Sequence, residues 1–387
     1  MTPAVVVLAY DRPRALERLL TSIAGAAYPG ERVPLVISID PGGSREVGRL
    51  AEHFSWSHGR KQVLVADRHL GLVAHVERAS DLAREHGAII LLEDDLVVSP
   101  SYYSYAASAL DFYREDPRIA GVSLYALWFN GYNHFPFLPL LDGADVFFLQ
   151  IPYTQGYAFS AQQWARFLDW RTHVGDDSRP GPRDPLHPML LEFGAEEWFP
   201  ERLKYLVATD RYFVYPRESL TTGFGDVGTH FTRTSRWFQV PLQEFKTSFG
   251  FAPLDASAAV YDSFFEILPD RLRRLAPNLD LDDCDIDLYG SKPAHVTRHR
   301  RVVTSRRSRA PEVQFGRVMW PLEANVAHQV PGREIVLSRT ADVRRGRWED
   351  VRVHKELHEY FTRGRGLPRR LRWAFRLLDL WERRPRL

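Results

Sequence analysis

The chain has 387 residues, of which 44% are hydrophobic and 13% aromatic, so it can bury a large core and is neither disordered nor fibrous. Its 51 Lys and Arg residues against 49 Asp and Glu residues leave a net charge of +2, too even to indicate a nucleic-acid partner. The single cysteine, Cys284, excludes an internal disulfide and fits a reducing compartment.

The N-terminus predicts neither a signal peptide nor a membrane span. No basic region precedes its short apolar run, and that run meets charge at Asp11. We therefore expect a cytoplasmic protein, with the inner face of a membrane as a second location if a basic segment near the C-terminus attaches there.

Apolar runs alternate with amphipathic helical stretches through the first 125 residues. The predicted strands cover residues 4–9, 34–40, 61–67 and 88–92, and the predicted helices begin at Pro13 and Leu72, the second ending at Gly87. This rhythm predicts an α/β fold in which helices cover both faces of a mainly parallel sheet. Ligands of such folds lie beyond the carboxyl ends of the strands.

Polar residues follow each of the four predicted strands. They are Asp11, Arg12, Asp40, Arg68, His69, Glu93, Asp94 and Asp95. Strands commonly end in polar turns, so any one of these residues has a plain structural explanation. Together they predict one functional crevice, and the three consecutive carboxylates there require arginine, lysine or a divalent cation nearby.

The two common backbone cradles for phosphate are missing. No G-x-G-x-x-G follows the first strand, and no G-x-x-x-x-G-K-[ST] occurs anywhere. A nucleotide diphosphate would instead be neutralised by a cation on the acidic triplet, where hard carboxylate oxygens suit Mg²⁺ or Mn²⁺.

Four segments resemble a known family in their order and spacing: VVVLAYDRPRALERLL, VISIDPGGS, DRHLGLVAH and LLEDDLVVSPSYYSY. They are similar to the nucleotide-sugar half of GT-A glycosyltransferases of the N-acetylglucosaminyltransferase I type and its bacterial relatives. The resemblance covers residues 4–105 and is traceable to about residue 231. It implies a catalytic domain over residues 1–245, with a nucleotide-sugar half (1–125) and an acceptor half (126–245), followed by an accessory region (246–387).

The resemblance also implies roles for individual residues. Asp95 would be the ligand of Mn²⁺ or Mg²⁺, Asp94 would touch the ribose, and Glu93 would face the donor sugar. Arg12 would contact the diphosphate. The plain alternative for Arg12 is an ion pair with Asp11.

Two further residues would address the uracil, namely Asp40 and His69. The alternative for His69 is a surface turn residue. Residues 148–170 predict a strand, a polar turn and a helix, and the turn at Gln155 and Gly156 is suited to line a sugar pocket.

A catalytic base is expected just before Trp198. In the family a pair of acids in this region supplies it, so Glu197 is the expected base and Glu196 the reserve. That type carries Asp where this sequence has Glu, so the longer side chain must sit further back. The alternative is an ordinary helix start with acids in its first turn.

Three glycines lie within a short span that ends near His230: Gly223, Gly225 and Gly228. Related enzymes have a loop here that orders over the bound donor, and His230 would reach the metal or the diphosphate. A plain turn-rich loop is the alternative.

The C-terminal third has three charged segments. Residues 279–290 alternate apolar and acidic residues and predict a strand with a solvated acidic face. The arginines that follow are Arg298, Arg300, Arg301, Arg306, Arg307 and Arg309. They could meet an acidic acceptor or a phosphate-bearing lipid, although pairing with the preceding aspartates is the default. Residues 366–387 predict a basic amphipathic helix that either contacts a membrane peripherally or docks on the protein core.

The sequence thus predicts an inverting, metal-dependent glycosyltransferase that uses a nucleotide-sugar, in particular a UDP-sugar. The acceptor would be a glycan, a lipid-linked molecule or a small molecule, in bacterial surface glycan or glycoconjugate synthesis, with no nucleic-acid partner. One alternative is a nucleotidyltransferase, although the glycine-rich N-terminal signature of that class is missing. The other is a non-catalytic nucleotide-sugar or glycan-binding protein of the same fold.

Overall fold

A computed structural model describes residues 1–30, 32–227, 233–234 and 238–362. They form two compact units: the first holds Met1–Trp128 and Pro139–Arg271, and the second holds Phe129–Leu138 and the described residues from Leu272 onward. The functional boundaries at residues 125 and 245 remain predictions. His230 and the predicted C-terminal helix lie outside the described residues.

The first unit contains one large sheet and a separate two-stranded sheet. Its described strands are β1 (Ala4–Ala9), β2 (Leu35–Ile39), β3 (Lys61–Val65), β4 (Ala88–Glu93), β5 (Leu96–Val98), β6 (Ile119–Ser123), β7 (Val146–Leu149), β8 (Tyr157–Ser160), β9 (Tyr212–Pro216), β10 (Thr221–Gly223) and β11 (Val260–Tyr261). Its described helices are α1 (Pro13–Ala24), α2 (Arg45–His53), α3 (Leu72–His86), α4 (Tyr102–Phe112), α5 (Ala161–Val174), α6 (Phe199–Ala208) and α7 (Pro269–Leu275), the last of which runs past Arg271.

The sheet has the strand order β11-β7-β9-β6-β8-β4-β1-β2-β3 within the described residues. Five of its eight strand pairings are parallel, and three are antiparallel. Every residue of β1 is buried, and because successive side chains point to opposite faces, both faces of the sheet are covered. The predicted α/β architecture, a mainly parallel sheet covered by helices, is confirmed.

The first four predicted strands and the helices from Pro13 and Leu72 are all present. Pro13 stands in the first turn of α1, where its fixed φ suits a helix and its missing N–H costs nothing. Leu16 and Leu19 are fully buried on the inner face of this helix. The strand β4 continues to Glu93, so the acidic triplet begins inside the sheet.

The polar turn predicted near Gln155 ends in a strand that the sequence pattern did not reveal. This strand, β8, lies between β4 and β6 and is antiparallel to both. Gly156, immediately before it, has φ +90°, a conformation that residues with a Cβ rarely adopt. The turn therefore places Gln155 beside the end of β4 instead of at a helix start.

The second unit contains a separate sheet. Its described elements are β12 (Cys284–Asp287), β13 (Arg301–Thr304), β14 (Pro311–Phe315), α8 (Leu322–Ala327), β15 (Ile335–Arg339) and α9 (Arg347–Phe361). The strand order is β12-β13-β15-β14. Within the part of the chain that the structure describes, no helix has both the length and the apolar character needed to cross a bilayer.

The prediction that β12 carries a solvated acidic face is wrong for Asp287. This carboxylate is 1% exposed and accepts hydrogen bonds from the backbone N–H of Lys292 and from Arg306. Arg306, just after the end of β13, takes the place of the solvent that was predicted to surround Asp287, because β13 pairs with β12. Arg301 likewise forms an ion pair with Asp280 at 2.8 Å. Pairing with the preceding aspartates is thus the correct alternative for Arg301 and Arg306.

Candidate functional site

The acidic triplet lies where β4 leaves the sheet. Glu93 is the last residue of β4, and Asp94 and Asp95 form the turn that leads into β5. The strands β1 and β4 are parallel neighbours, and their register places Leu8 of β1 beside Glu93. The chain that follows β1 therefore reaches the triplet, as the shared carboxyl edge of parallel strands predicts.

Arg12 is the positive group that the triplet requires. Its Nη1 atom donates to Asp95 Oδ2 at 3.0 Å, and its Nη2 atom donates to Asp94 Oδ1. The Asp94 side chain is 4% exposed and that of Arg12 is 25% exposed. Burial at this depth requires a compensating charge. Among the described residues the ion pairs of Arg12 are with Asp94 and Asp95, and its suggested pairing with Asp11 is not observed.

Burial also changes the protonation of the triplet. It raises the pKa of Asp94 to about 6, although the charge of Arg12 acts in the opposite direction. Burial, followed by repulsion from Asp95 and Asp94, raises the pKa of Glu93 to about 8. Burial therefore favours the protonated form of Glu93, which can donate a hydrogen bond to a ligand oxygen.

Asp95 keeps one oxygen that has no partner among the described residues. Its Oδ1 atom is buried and accepts no hydrogen bond from any of them, whereas its backbone carbonyl accepts from Phe224 N–H at 3.0 Å. An unsatisfied buried acceptor costs about 1–3 kcal/mol, so a ligand that satisfies it gains that amount.

The chemistry of this oxygen fits a divalent cation. Mg²⁺ is usually held by one or two carboxylates together with phosphate oxygens and waters. Within the described residues no group of three or more His, Cys, Asp or Glu side chains could hold a metal on its own. A cation at Asp95 would therefore need ligands from a bound diphosphate.

Asp40 has a structural role that the sequence did not show. Its Oδ1 accepts from Leu70 N–H at 2.8 Å and its Oδ2 from Gly71 N–H at 3.0 Å, immediately before α3. Both donors lie just before the first residue of α3, and the first amide groups of a helix lack partners inside the helix. Asp40 is 3% exposed. Its carboxylate is thus engaged by the protein itself.

His69 connects this cap to the surface of the crevice. Its Nδ1 lies 3.0 Å from Asp40 Oδ2, while its side chain is 57% exposed. Its ring lies 5.2 Å from the ring of Tyr10, at an angle of 33°. Tyr10 is itself 37% exposed, although it directly follows a buried strand.

The sequence pattern does not single out Tyr10, because its signal is the polar residues that follow each strand and Tyr10 is aromatic. The chain packs closely behind it, since a Cβ on Gly43 would overlap the Tyr10 carbonyl oxygen. An exposed, supported aromatic pair of this kind is suited to stack on a nucleobase.

Gln155 contributes a second buried oxygen. Its Oε1 atom accepts no hydrogen bond within the described part of the chain, and a Cβ on Gly223 would come within 2.7 Å of it. Gly223 in β10 pairs with Leu96 in β5, the residue after Asp95. The two unsatisfied oxygens of Asp95 and Gln155 therefore belong to adjacent chain segments.

The expected base and its reserve differ in their surroundings. Glu197 is half-buried, and its charge contributes to the raised pKa of Glu93. Its backbone is held on both sides, since its N–H donates to Gly194 O at 3.3 Å and its carbonyl accepts from Arg179 at 3.1 Å. Glu196 is exposed. The structure thus brings Glu197, rather than Glu196, within electrostatic reach of the triplet.

A buried arginine fixes the segment that follows Glu197. Arg202 of α6 donates to Tyr157 Oη at 3.1 Å and to Ser80 Oγ at 3.2 Å. Its guanidinium carbon lies 4.6 Å from the centre of the Trp198 ring and 4.9 Å from that of Trp164. Cation–π contacts of this kind stabilise most when they are desolvated. The sequence pattern gave no signal for this cage, because its aromatic residues come from separate elements.

The described part of the glycine-containing loop is attached to α1. Arg18 of that helix forms an ion pair with Asp226, and its guanidinium carbon lies 3.8 Å from the centre of the Phe224 ring. The loop therefore leaves β10 beside the acidic triplet. His230, expected to reach the metal, lies outside the described residues.

No family model matches the chain, and no curated protein matches it. Among solved structures, residues 1–349 of S. aureus TarS in complex with UDP-GlcNAc give a TM-score of 0.39 at 12% identity, covering 60% of this chain and 61% of that one. GalNAc-T7 with UDP, GalNAc and Mn²⁺ gives 0.40 at 13% identity, covering 56% and 42%. The mannosyltransferase PcManGT from Pyrobaculum calidifontis with GDP-Man and Mn²⁺ gives 0.32 at 14%, covering 45% and 46%.

The chain therefore spans less than two thirds of the length of these solved proteins. Such distant likenesses assign neither an activity nor the role of a residue, and a functional assignment depends on the side chains of the crevice.

Proposed function

We propose that the chain is a GT-A glycosyltransferase that moves a sugar from a UDP-sugar to an acceptor hydroxyl with inversion at the anomeric carbon. The observation that carries the proposal is the buried Asp95 Oδ1, which has no partner among the described residues, beside the cationic Arg12 and at the carboxyl edge of a mainly parallel sheet. This combination suits an anionic diphosphate with its counter-cation.

The donor would lie across the strand ends. The uracil would stack on the exposed pair of Tyr10 and His69, and Asp40 would hold His69 in place while it caps α3. Asp94 would contact the ribose, as the sequence resemblance implies. Arg12 would move from its carboxylate partners toward the diphosphate.

A divalent cation, Mn²⁺ or Mg²⁺, held by Asp95 would supply Lewis-acid stabilisation of the departing diphosphate. Arg12 adds a permanent positive charge on the same side. Its five donors in a planar fork match phosphate oxygens in pairs.

The donor sugar would lie between the triplet and the β8 turn. Glu93 in its protonated form, which burial favours, would donate a hydrogen bond to a sugar oxygen. Gln155 Oε1, which has no partner among the described residues, would accept one from a sugar hydroxyl or amide N–H. Together these two residues would orient the anomeric carbon.

Glu197 would act as the general base. As the acceptor oxygen forms its bond to the anomeric carbon, the bond to the diphosphate breaks, UDP leaves with the electron pair, and Glu197 takes the hydroxyl proton. The half-buried position of Glu197 and its proximity to the triplet favour it over the exposed Glu196. Synthesis of a bacterial surface glycan or glycoconjugate is the role we propose for this reaction.

The experiment that tests the donor site is calorimetric titration with UDP, and then with UDP-, GDP- and dTDP-sugars, each with Mn²⁺ and with EDTA. We expect binding of uridine nucleotides that depends on the metal. Binding of no nucleotide by folded protein would contradict the proposal. A non-catalytic binding protein would give the same titrations but no sugar transfer in the presence of acceptor.

A further inference from the structure

Five arginines surround the carboxyl end of β15 in the second unit. This arginine patch consists of Arg300, Arg307, Arg309, Arg339 and Arg344, all of which are exposed. Within the part of the chain that the structure describes, none of the five forms an ion pair. The default expectation, that the arginines following β12 pair with the preceding aspartates, therefore fails for Arg300, Arg307 and Arg309.

Backbone hydrogen bonds hold the patch together. Thr340 N–H donates to Arg300 O at 2.9 Å, and Arg344 N–H donates to Arg307 O at 2.8 Å. An isolated bridge between Ser308 and Val343 continues the second contact. The grouping of these arginines is thus a property of the folded backbone and not of flexible side chains.

Two backbone pairings place like charges side by side. The register of β13 and β15 sets Arg301 directly opposite Arg339, and Arg344 lies against Arg307. Like charges directly opposite one another destabilise a sheet. Asp280 offsets the charge of Arg301 at 2.8 Å, but Arg339 has no such partner among the described residues.

The acids near the patch are already engaged. Glu349 accepts hydrogen bonds from Arg352 and from the backbone N–H of the patch member Arg307, whose charge also acts on it. Asp350 accepts one from the buried Arg306 at 2.5 Å. Asp342 is the acid that lies within the patch itself, where its backbone carbonyl accepts from Arg309 N–H at 3.0 Å. Five arginines against one aspartate leave a local excess of four positive charges, in a chain whose net charge is only +2.

We propose that the arginine patch binds an anionic acceptor chain that carries repeated phosphate or carboxylate groups. Guanidinium groups bind both anions through paired hydrogen bonds, and a repeating chain would satisfy several of them at once. The inference rests on the proposed transferase function for the identity of the bound chain as acceptor, but the binding itself does not depend on it.

The composition of the patch favours a polymer over a bilayer. Most residues beside the arginines are small or polar, namely Ser308, Ala310, Thr340, Ala341 and Asp342, while Val343 is half-buried. Basic surfaces that bind bilayers also insert large apolar side chains. No Phe, Tyr, Trp, Leu, Ile or Met adjoins a member of the patch in the sequence, and the exposed Trp348 lies four residues beyond Arg344.

The test measures binding of two polymers to the full chain by fluorescence anisotropy: inorganic polyphosphate and polygalacturonate. The patch variant is R300Q/R309Q/R344Q. The matched control is R49Q/R60Q/R84Q, which removes three exposed arginines of the first unit and changes the net charge equally. Vesicles of anionic phospholipid and a duplex DNA are measured in parallel, each at several salt concentrations.

We expect the patch variant to lose about tenfold or more in affinity for at least one polymer and to show a weaker salt dependence, because fewer counterions are released. The control should stay within about twofold of the wild type. Equal losses in both variants would overturn the proposal, as would a loss confined to vesicles or DNA. Circular dichroism of both variants establishes that they are folded.

The result separates the two proposals. Polymer binding that depends on the patch, together with absent UDP binding, would leave the patch standing and contradict the transferase. If UDP binds but the patch variant equals the control, the transferase stands and the patch proposal fails.

Discussion

Arg12 and Asp95 lie 3.0 Å apart at the edge of the large sheet, and the described residues engage one of the two carboxylate oxygens. Oδ2 accepts from Arg12, while Oδ1 is buried and accepts no hydrogen bond from these residues. The site therefore contains both the positive charge that stabilises the triplet without a ligand and the acceptor that a ligand would use.

Asp95→Asn should remove metal-dependent UDP binding, because the amide lacks the charge that a divalent cation prefers. We expect the dissociation constant with Mn²⁺ to rise about tenfold or more, which corresponds to about 1.4 kcal/mol. Calorimetric titration with Mn²⁺ and with EDTA measures it. Asp169→Asn, at an exposed position on α5, is the control and should bind as the wild type does. Unchanged binding by Asp95→Asn would show that the cation is held elsewhere.

Arg12→Met should destabilise the protein, because the Asp94 carboxylate, 4% exposed, would lose its partner. Removing one member of a fully buried pair costs about 3–5 kcal/mol, and the partial exposure of Arg12 reduces our expectation to about 2–3 kcal/mol. Urea denaturation measures the free energy of unfolding.

The double variant Arg12→Met/Asp94→Asn separates this effect from a loss of packing. Because it removes the uncompensated charge, it should recover part of the stability lost in Arg12→Met. Costs that simply add would mean that the two side chains do not interact energetically.

Glu197→Gln should abolish transfer while leaving donor binding intact, since the amide keeps the shape of the side chain but cannot take a proton. We expect kcat to fall about 100-fold or more, the usual contribution of a general base. Glu196→Gln, one residue earlier and exposed, is the matched control and should retain activity. The reverse pattern would make Glu196 the base.

His187 should make the first unit less stable in weak acid. Burial lowers the pKa of His187 to about 4, from an ordinary value of 6.5. The unfolded chain therefore binds more protons between these two values, so this stability is complete above pH 6.5 and falls as the pH drops toward 4. At pH 5 the loss should be about 1–2 kcal/mol relative to pH 7.5.

His187→Asn tests this assignment. The Asn Oδ1 can replace the ring Nδ1 that accepts from Met189 N–H at 3.2 Å, but it does not titrate. The difference in unfolding free energy between the two pH values should shrink by the same amount. An unchanged difference would assign the acid sensitivity to other groups.

The sequence predicts the first half of the large sheet well because its strands are continuous apolar runs with local signals at both ends. It predicts neither β8 nor the pairing of β10 with β5, because each strand is short and its partners lie far away in the chain. The same limit hid Arg202, whose aromatic neighbours come from several elements.

Within the site, the sequence predicts which residue types gather but not how each is engaged. Glu93, Asp94 and Arg12 are brought together as expected. Outside the site, the buried Asp287 contradicts its sequence pattern, because Arg306 provides the positive charge for a carboxylate that was expected to be solvated by water.

Asp40 has a consequence for how related sequences are compared. Because its carboxylate binds Leu70 and Gly71 at the start of α3, natural selection for folding alone would retain an acid at this position. A relative that has lost nucleotide binding would still keep Asp40, whereas folding retains Asp95 through its pair with Arg12, since no described residue donates to its Oδ1. Because we propose that Asp95 holds the cation, variation at position 95 in a family alignment should follow activity more closely than variation at position 40.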